Sequence, residues 1–254
     1  MPDRYDSTRR AWEDIWDAAT IEVELEAAAY ARSQDTIDAY LPFLAKQDIH
    51  LEAGSGLSAI VLTLRQRGYN VHGLDYAVNA LLASRRFDAS LPLAAGDVHH
   101  LPYRDSSFGS YLSFGVLEHF EGGMLPALRE AYRVVKPGGV LVLTIPYPNL
   151  IYNLVQWRRR LSGQGPLTDD AFYESTYTRR QLRDVVMEAG FSLELSRPTS
   201  HSFTLWQLGG PFRTSGYYRT SLLAETLGAL LKRILPWPTN YSTLIVARKQ
   251  ARRR

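Results

Sequence analysis

Asp48-Ile-His-Leu-Glu-Ala-Gly-Ser-Gly-Leu57 decides the fold of this chain: an apolar strand carrying an acid near its end, then two glycines one residue apart. An amphipathic segment, Leu57 to Arg67, follows, and a second apolar run, Asn70-Val-His-Gly-Leu-Asp75, ends on a carboxylate. Strand, glycine turn, helix, strand and acid together describe one half of a nucleotide-binding α/β sheet. Gly54 and Gly56 let the backbone turn sharply and come close to a ligand. Asp75, at a strand end, is placed to accept hydrogen bonds from both hydroxyls of a ribose. Its competing structural use is to cap the next helix.

Two details bear on which ligand. Dinucleotide sites place a third glycine three residues after the second, where a pyrophosphate meets the helix N-terminus. Here that position is Ala59. Glu52, two residues before the first glycine, would repel phosphates but suits a cation such as an ammonium or a sulfonium. A nicotinamide dehydrogenase is therefore a distant alternative.

The next ninety residues add motifs in a fixed order: Gly96-Asp97-Val98, Leu101-Pro102, Ser107-Phe108, the strand Tyr111 to Phe114, Val116-Leu-Glu-His119, and Lys136-Pro-Gly-Gly139 before the strand Val140 to Ile145. From about Ile49 to Ile145 this order resembles the class I S-adenosylmethionine-dependent methyltransferases, in particular their small-molecule branch. A looser likeness continues from Tyr177 to Leu195. The resemblance implies a Rossmann-like α/β sheet of seven strands in order 3-2-1-4-5-7-6, strand seven antiparallel, with helices on both faces. It implies S-adenosyl-L-methionine as cofactor.

Carried over residue by residue, the resemblance puts Glu52, Gly54 and Gly56 at the methionine part of the cofactor. Asp75 falls at the ribose, Tyr76 beside the adenine, Asp97 at its amino group, and the Val98 amide at a ring nitrogen. The backbone from Ser113 to Gly115 would accept from the cofactor's ammonium. Asp97 could instead cap the loop before Leu101. The chain departs from the pattern at Ser58, where a third glycine is usual, and at Gly109, where an Asp often follows the Ser-Phe pair. Lys136-Pro-Gly-Gly139 is expected to stop one helix and turn into the next strand.

Methyl transfer to a neutral hydroxyl needs alignment and a base within hydrogen-bond reach. The resemblance places the acceptor after the fourth strand, which makes Glu118 and His119 candidates. Tyr147, just beyond strand five, points to the same mouth by the rule for sheet carboxyl ends. No metal is expected: the six histidines show no ligand spacing, and Gly115 stands where some quinone-type relatives carry an extra acid. The Phe114-Gly-Val-Leu117 run differs from the Asn/Asp-Pro-Pro-aromatic motif of enzymes that methylate amino groups of DNA or protein.

Hydrophobic and charged contents of 45% and 22% fit a soluble globular chain, and zero cysteines exclude disulfides and thiolate chemistry. With no signal-like start and no apolar run long enough to cross a bilayer, the cytoplasm is the expected compartment. The net charge of +3 rests on Arg248, Lys249 and Arg252 to Arg254, a basic tail rather than a basic face. Residues 1–45 read as an N-terminal helical cap, with helices over 7–18 (Trp12, Ile15 and Trp16 covering the entrance) and 21–44. Residues 46–254 read as the methyltransferase domain, with insertions at about 147–176 and 200–238. In the second insertion, leucines from Leu222 to Leu231 and Ile234 follow helical spacing. That helix packs on the sheet edge or a subunit, covers an apolar or sugar-like acceptor, or makes a peripheral membrane contact through 221–235. The function expected is methyl transfer to a small-molecule, sugar or lipid-linked acceptor, most plausibly at oxygen. The alternatives are an RNA methyltransferase, suggested by the tail and Arg158 to Arg160, and a non-catalytic cofactor-binding scaffold.

Overall fold

A computed structural model describes residues 4–163, 174–214 and 219–251. Seven strands form one sheet: β1 (Ile49–Ala53), β2 (Asn70–Asp75), β3 (Leu93–Ala95), β4 (Phe108–Phe114), β5 (Val135–Pro146), β6 (Phe191–Thr199) and β7 (Ser242–Lys249). Their order is β3-β2-β1-β4-β5-β7-β6. β1 to β5 run parallel, and β7 lies antiparallel between β5 and β6. The expected sheet order and the antiparallel seventh strand are both present.

The two-residue period of the strands divides the core. Leu51, Tyr111, Leu141, Leu143, Ile245 and Ala247 face one side, where α6 (Leu125–Val134) and α8 (Arg179–Glu188) bring Leu128, Ala131, Leu182 and Val186. The alternate residues Leu112, Val140, Val142, Leu244 and Val246 face the other. There α3 (Ala31–Tyr40), α4 (Ala59–Gln66) and α5 (Val78–Phe87) supply Ile37, Tyr40, Val61, Leu64 and Ala80. Burial on both faces explains why the central strands read as apolar runs rather than as alternating ones.

Several boundaries differ from the sequence expectation. The helix expected over 21–44 is two helices, α2 (Ile21–Ala29) and α3, with Tyr30 extended between them at φ −60°, ψ 145°. Ser33 Oγ and Gln34 Nε2 donate to the Ala27 and Ala28 carbonyls, capping α2 from within α3. Lys136 to Gly139 are not a turn before the strand but part of β5, whose pairing with β4 shifts register between Phe108 and Ser110. β7 extends past Ala247, so Arg248 and Lys249 are strand residues. Arg248 pairs with Glu194, and Lys249 Nζ donates to the carbonyls of Tyr132 and Val135. Two of the five tail cations are thereby tied to the sheet; Arg252 to Arg254 lie outside the described residues.

The first insertion contains α7 (Leu150–Leu161). Asn149 caps it by accepting from the Tyr152 N–H at 2.9 Å. The second contains α9 (His201–Trp206) and α10 (Leu222–Ile234), while its Tyr217 and Tyr218 lie outside the described residues. α1 (Arg4–Ala18) packs on α5 at the carboxyl edge of the sheet. Among the described residues no helix is long and apolar enough to cross a membrane.

Candidate cofactor site and acceptor mouth

The turn after β1 is held from its neighbour strand. The N–H groups of Gly54 and Ser55 both donate to the Leu74 carbonyl, at 2.7 and 3.0 Å. Gly54 adopts φ +83° and Gly56 φ +47°, the left-handed region that favours glycine. Space matters as much as angle. A Cβ on Gly54 would lie 2.2 Å from Val116 Cγ2, and one on Gly56 would lie 2.5 Å from the Trp16 ring. Ser58, where a third glycine is usual, is also left-handed at φ +61°, buried, with no partner for its Oγ.

Asp75 ties this turn to the next one. Its Oδ2 accepts from Gly56 N–H at 2.7 Å and its Oδ1 from Ala77 N–H at 2.8 Å. Burial raises its pKa, against the pull of those backbone donors. The Tyr76 backbone also donates to this carboxylate, whose roughly four acceptor positions leave room to brace the turn and still accept from a ligand hydroxyl. Glu52 differs. It is 4% exposed, its Oε2 has no partner, and burial pushes its carboxyl well above the usual carboxylate range. An unpaired buried carboxylate is costly unless a cation or a proton meets it.

Both acids line a cavity of about 240 Å³ at the carboxyl edge of β1, β2 and β4. Gly54, Gly56, Tyr76, Val98, Gly115 and His119 line it too, so most of the expected site residues come together. Ser113 lies just outside the lining, buried, with its Oγ unpartnered. Asp97 is not at the wall. Its Oδ1 accepts from the His99 N–H at 2.8 Å and meets the His99 ring at 3.0 Å, a loop-bracing use of the carboxylate. The three acceptor-side candidates also part company. His119 faces the cavity with its ring edge-on to Trp12 at 5.4 Å. Glu118 is buried and points elsewhere, its pKa pushed up to about 8 by burial. Tyr147 packs against Trp237 at 5.9 Å, away from the cavity.

Sequence reasoning missed Thr8, Glu24 and Ser55, which also line the cavity. Glu24 stands on α2, whose register with the sheet no local pattern reveals. Beside the cavity a hollow of about 160 Å³ shares Ile60 and Phe114 with it. Its remaining lining includes Ser33, Thr36, Tyr40, Thr144, Ser200 and Ser242, with no charged side chain, and the Tyr40 hydroxyl is buried without a partner. Among the described residues no group of three or more His, Cys, Asp or Glu is arranged to hold a metal.

The site fits a cationic adenosine-bearing ligand: a buried carboxyl with one unpartnered oxygen where positive charge would lie, a carboxylate braced by backbone N–H groups where a ribose would lie, and a close-approach turn between them. Residues 51–143 match the family model for a methyltransferase domain. Over 96 residues the chain is 41% identical to a demethylmenaquinone methyltransferase of Corynebacterium kroppenstedtii, a match covering 37% of this chain and 39% of that relative. It is 28% identical over 225 residues to a malonyl-[acyl-carrier protein] O-methyltransferase of Dechloromonas aromatica, covering 82% of each. Among solved structures, an S-adenosylmethionine-dependent methyltransferase of Methanosarcina mazei superposes with TM-score 0.60 at 18% identity, over 83% of this chain and 96% of that one. The sheet order and the match over residues 51–143 support a class I S-adenosylmethionine-dependent methyltransferase. The chain spans between 39% and 64% of the length of the first curated relatives it matches.

Proposed function

We propose that the chain transfers a methyl group from S-adenosylmethionine to an oxygen of a small-molecule, sugar or lipid-linked acceptor. The observation that carries this reading is the buried Glu52, whose Oε2 has no partner, in a cavity floored by the glycine turn. When bound, the cofactor supplies a methyl carbon already activated by its sulfonium. What the chain must add is position. Glu52 would hold positive charge, Asp75 the ribose hydroxyls, and Tyr76 and Val98 the adenine side. Gly115 and Phe114 form the wall toward the acceptor.

The uncharged, hydroxyl-lined hollow beside the cavity supports a neutral acceptor, because it offers hydrogen bonds without a countercharge. His119 stands at the wall of the cavity that adjoins this hollow, and we assign it the base. Glu118 lies outside the cavity lining, and we give it no part in proton transfer. The acceptors named for the two relatives, one quinone-type and one carried on a protein, support oxygen or lipid-linked chemistry without fixing the compound.

A labelled-methyl assay over small-molecule extracts, followed by mass spectrometry of the product, tests this directly. A labelled ether or ester is expected. Label found only in RNA or protein, or no transfer to any fraction, would overturn the reading. His119→Ala should lower kcat by about a hundredfold or more while cofactor affinity holds.

A further inference from the structure

The two insertions leave an apolar surface that the cofactor site does not use. On α7, Leu150, Leu154, Trp157 and Leu161 recur at intervals of four, three and four residues, one stripe of a helix. They are 60%, 59%, 59% and 69% exposed. α10 buries Ala224 and Gly228 and leaves Leu222, Leu230 and Ile234 83%, 51% and 61% exposed. The buried side is fixed by close packing: a Cβ on Gly228 would lie 2.5 Å from the Ser202 nitrogen of α9. The start of α7 is tied to the segment that follows α10. Leu150 N–H donates to the Pro238 carbonyl at 2.8 Å, just beyond α10, and Tyr147 contacts Trp237 there.

Charge selects the partner. α7 carries Arg158, Arg159 and Arg160 in its last turn and no acid anywhere along its length. α10 adds exposed Arg233, while its single acid, Glu225, is turned inward to Arg32 at 2.6 Å. A second copy stacking α7 on α7 would bring arginines together with no helix acid to offset them. Exposed leucines and a tryptophan beside the exposed Arg158, Arg160 and Arg233 match an anionic bilayer surface, where the apolar side chains enter the headgroup boundary and the cations meet the phosphates.

We infer that α7 and α10 together form a docking face for an acidic phospholipid membrane, seating the acceptor mouth at the bilayer surface. β5 and β7, whose ends at Pro146 and Ser242 flank both insertions, place that face beside the hollow lined by Thr144 and Ser242. The inference concerns binding alone and stands whether or not the methyl-transfer reading holds.

The test is co-sedimentation of the full chain with vesicles of phosphatidylcholine alone and of phosphatidylcholine mixed with an equal part of phosphatidylglycerol. Binding to the mixed vesicles, weakened by salt and nearly absent with phosphatidylcholine, is the expected result. Leu154→Glu with Trp157→Glu should abolish it. Arg158→Ala with Arg160→Ala should weaken it about tenfold or more. All four side chains are exposed, so thermal denaturation should be unchanged and confirm folding. No binding to the mixed vesicles overturns the inference, as does binding that survives the paired glutamates. So does a dimer in analytical ultracentrifugation that those same glutamates dissociate, which would make a second copy the occupant.

Discussion

The half of the sheet that carries β1 to β4 and the half that carries β5 to β7 solve opposite problems. In the first, polar groups turn inward: Glu52 and Asp75 are buried beside a turn in which the N–H groups of Gly54, Ser55 and Gly56 are all bonded. In the second, apolar groups turn outward, along α7 and α10. The first half holds a ligand through short, backbone-locked loops with little freedom to vary. The second presents longer insertions, where acceptor choice and partners can change without disturbing the turn. Glu118 lies between them: its side chain is buried, and its carbonyl accepts from both the N–H and the Oγ of Ser175, at the end of the first insertion.

The sharpest way to break this contrast is at Gly54. Gly54→Val forces a branched side chain into a left-handed residue and against Val116. Backbone strain and overpacking together should cost about 3 kcal/mol or more, and cofactor binding should vanish. Thermal denaturation and calorimetry read both. A matched substitution on the outward half, Leu154→Ala, should change stability by less than about 0.5 kcal/mol. Equal losses at the two positions would erase the distinction.

Glu118 tests the boundary through pH. Its folded pKa of about 8 lies above the ordinary carboxyl value, because burial favours the protonated form. That stability is present in full at acid pH, below the unfolded pKa, and is lost as pH rises toward 8. The loss approaches at most about 1.4 kcal/mol per pH unit. Glu118→Gln should flatten the decline of melting temperature between acid pH and pH 8. An unchanged slope would mean that another group carries it.

A modest gain, rather than a loss, is expected at Ser58. Glycine there relieves a left-handed backbone and removes a buried hydroxyl without a partner. Ser58→Gly should stabilise the chain by about 1 kcal/mol in urea denaturation. A loss of stability would show that the Oγ has a use in the folded state.

Legibility in the sequence followed the same division. β1 to β5, the glycine turn and Asp75 were readable because their signals are local: apolar runs, turn formers and acids at strand ends. The break at Tyr30 was not, since it depends on Ser33 and Gln34 reaching back to cap α2. Nor was the direction of three site candidates. The Asp97 carboxylate braces its own loop, while Glu118 and Tyr147 turn from the cavity, because side-chain direction there is set by neighbours distant in sequence. Glu24 was invisible for the same reason.

Calorimetric titration of S-adenosylmethionine into the full chain, beside Glu52→Gln, tests the central claim most directly. The account predicts saturable one-to-one binding, weakened about tenfold or more by the substitution, with the apo protein no less stable. Equal affinity in both proteins, or no heat of binding in either, would contradict it.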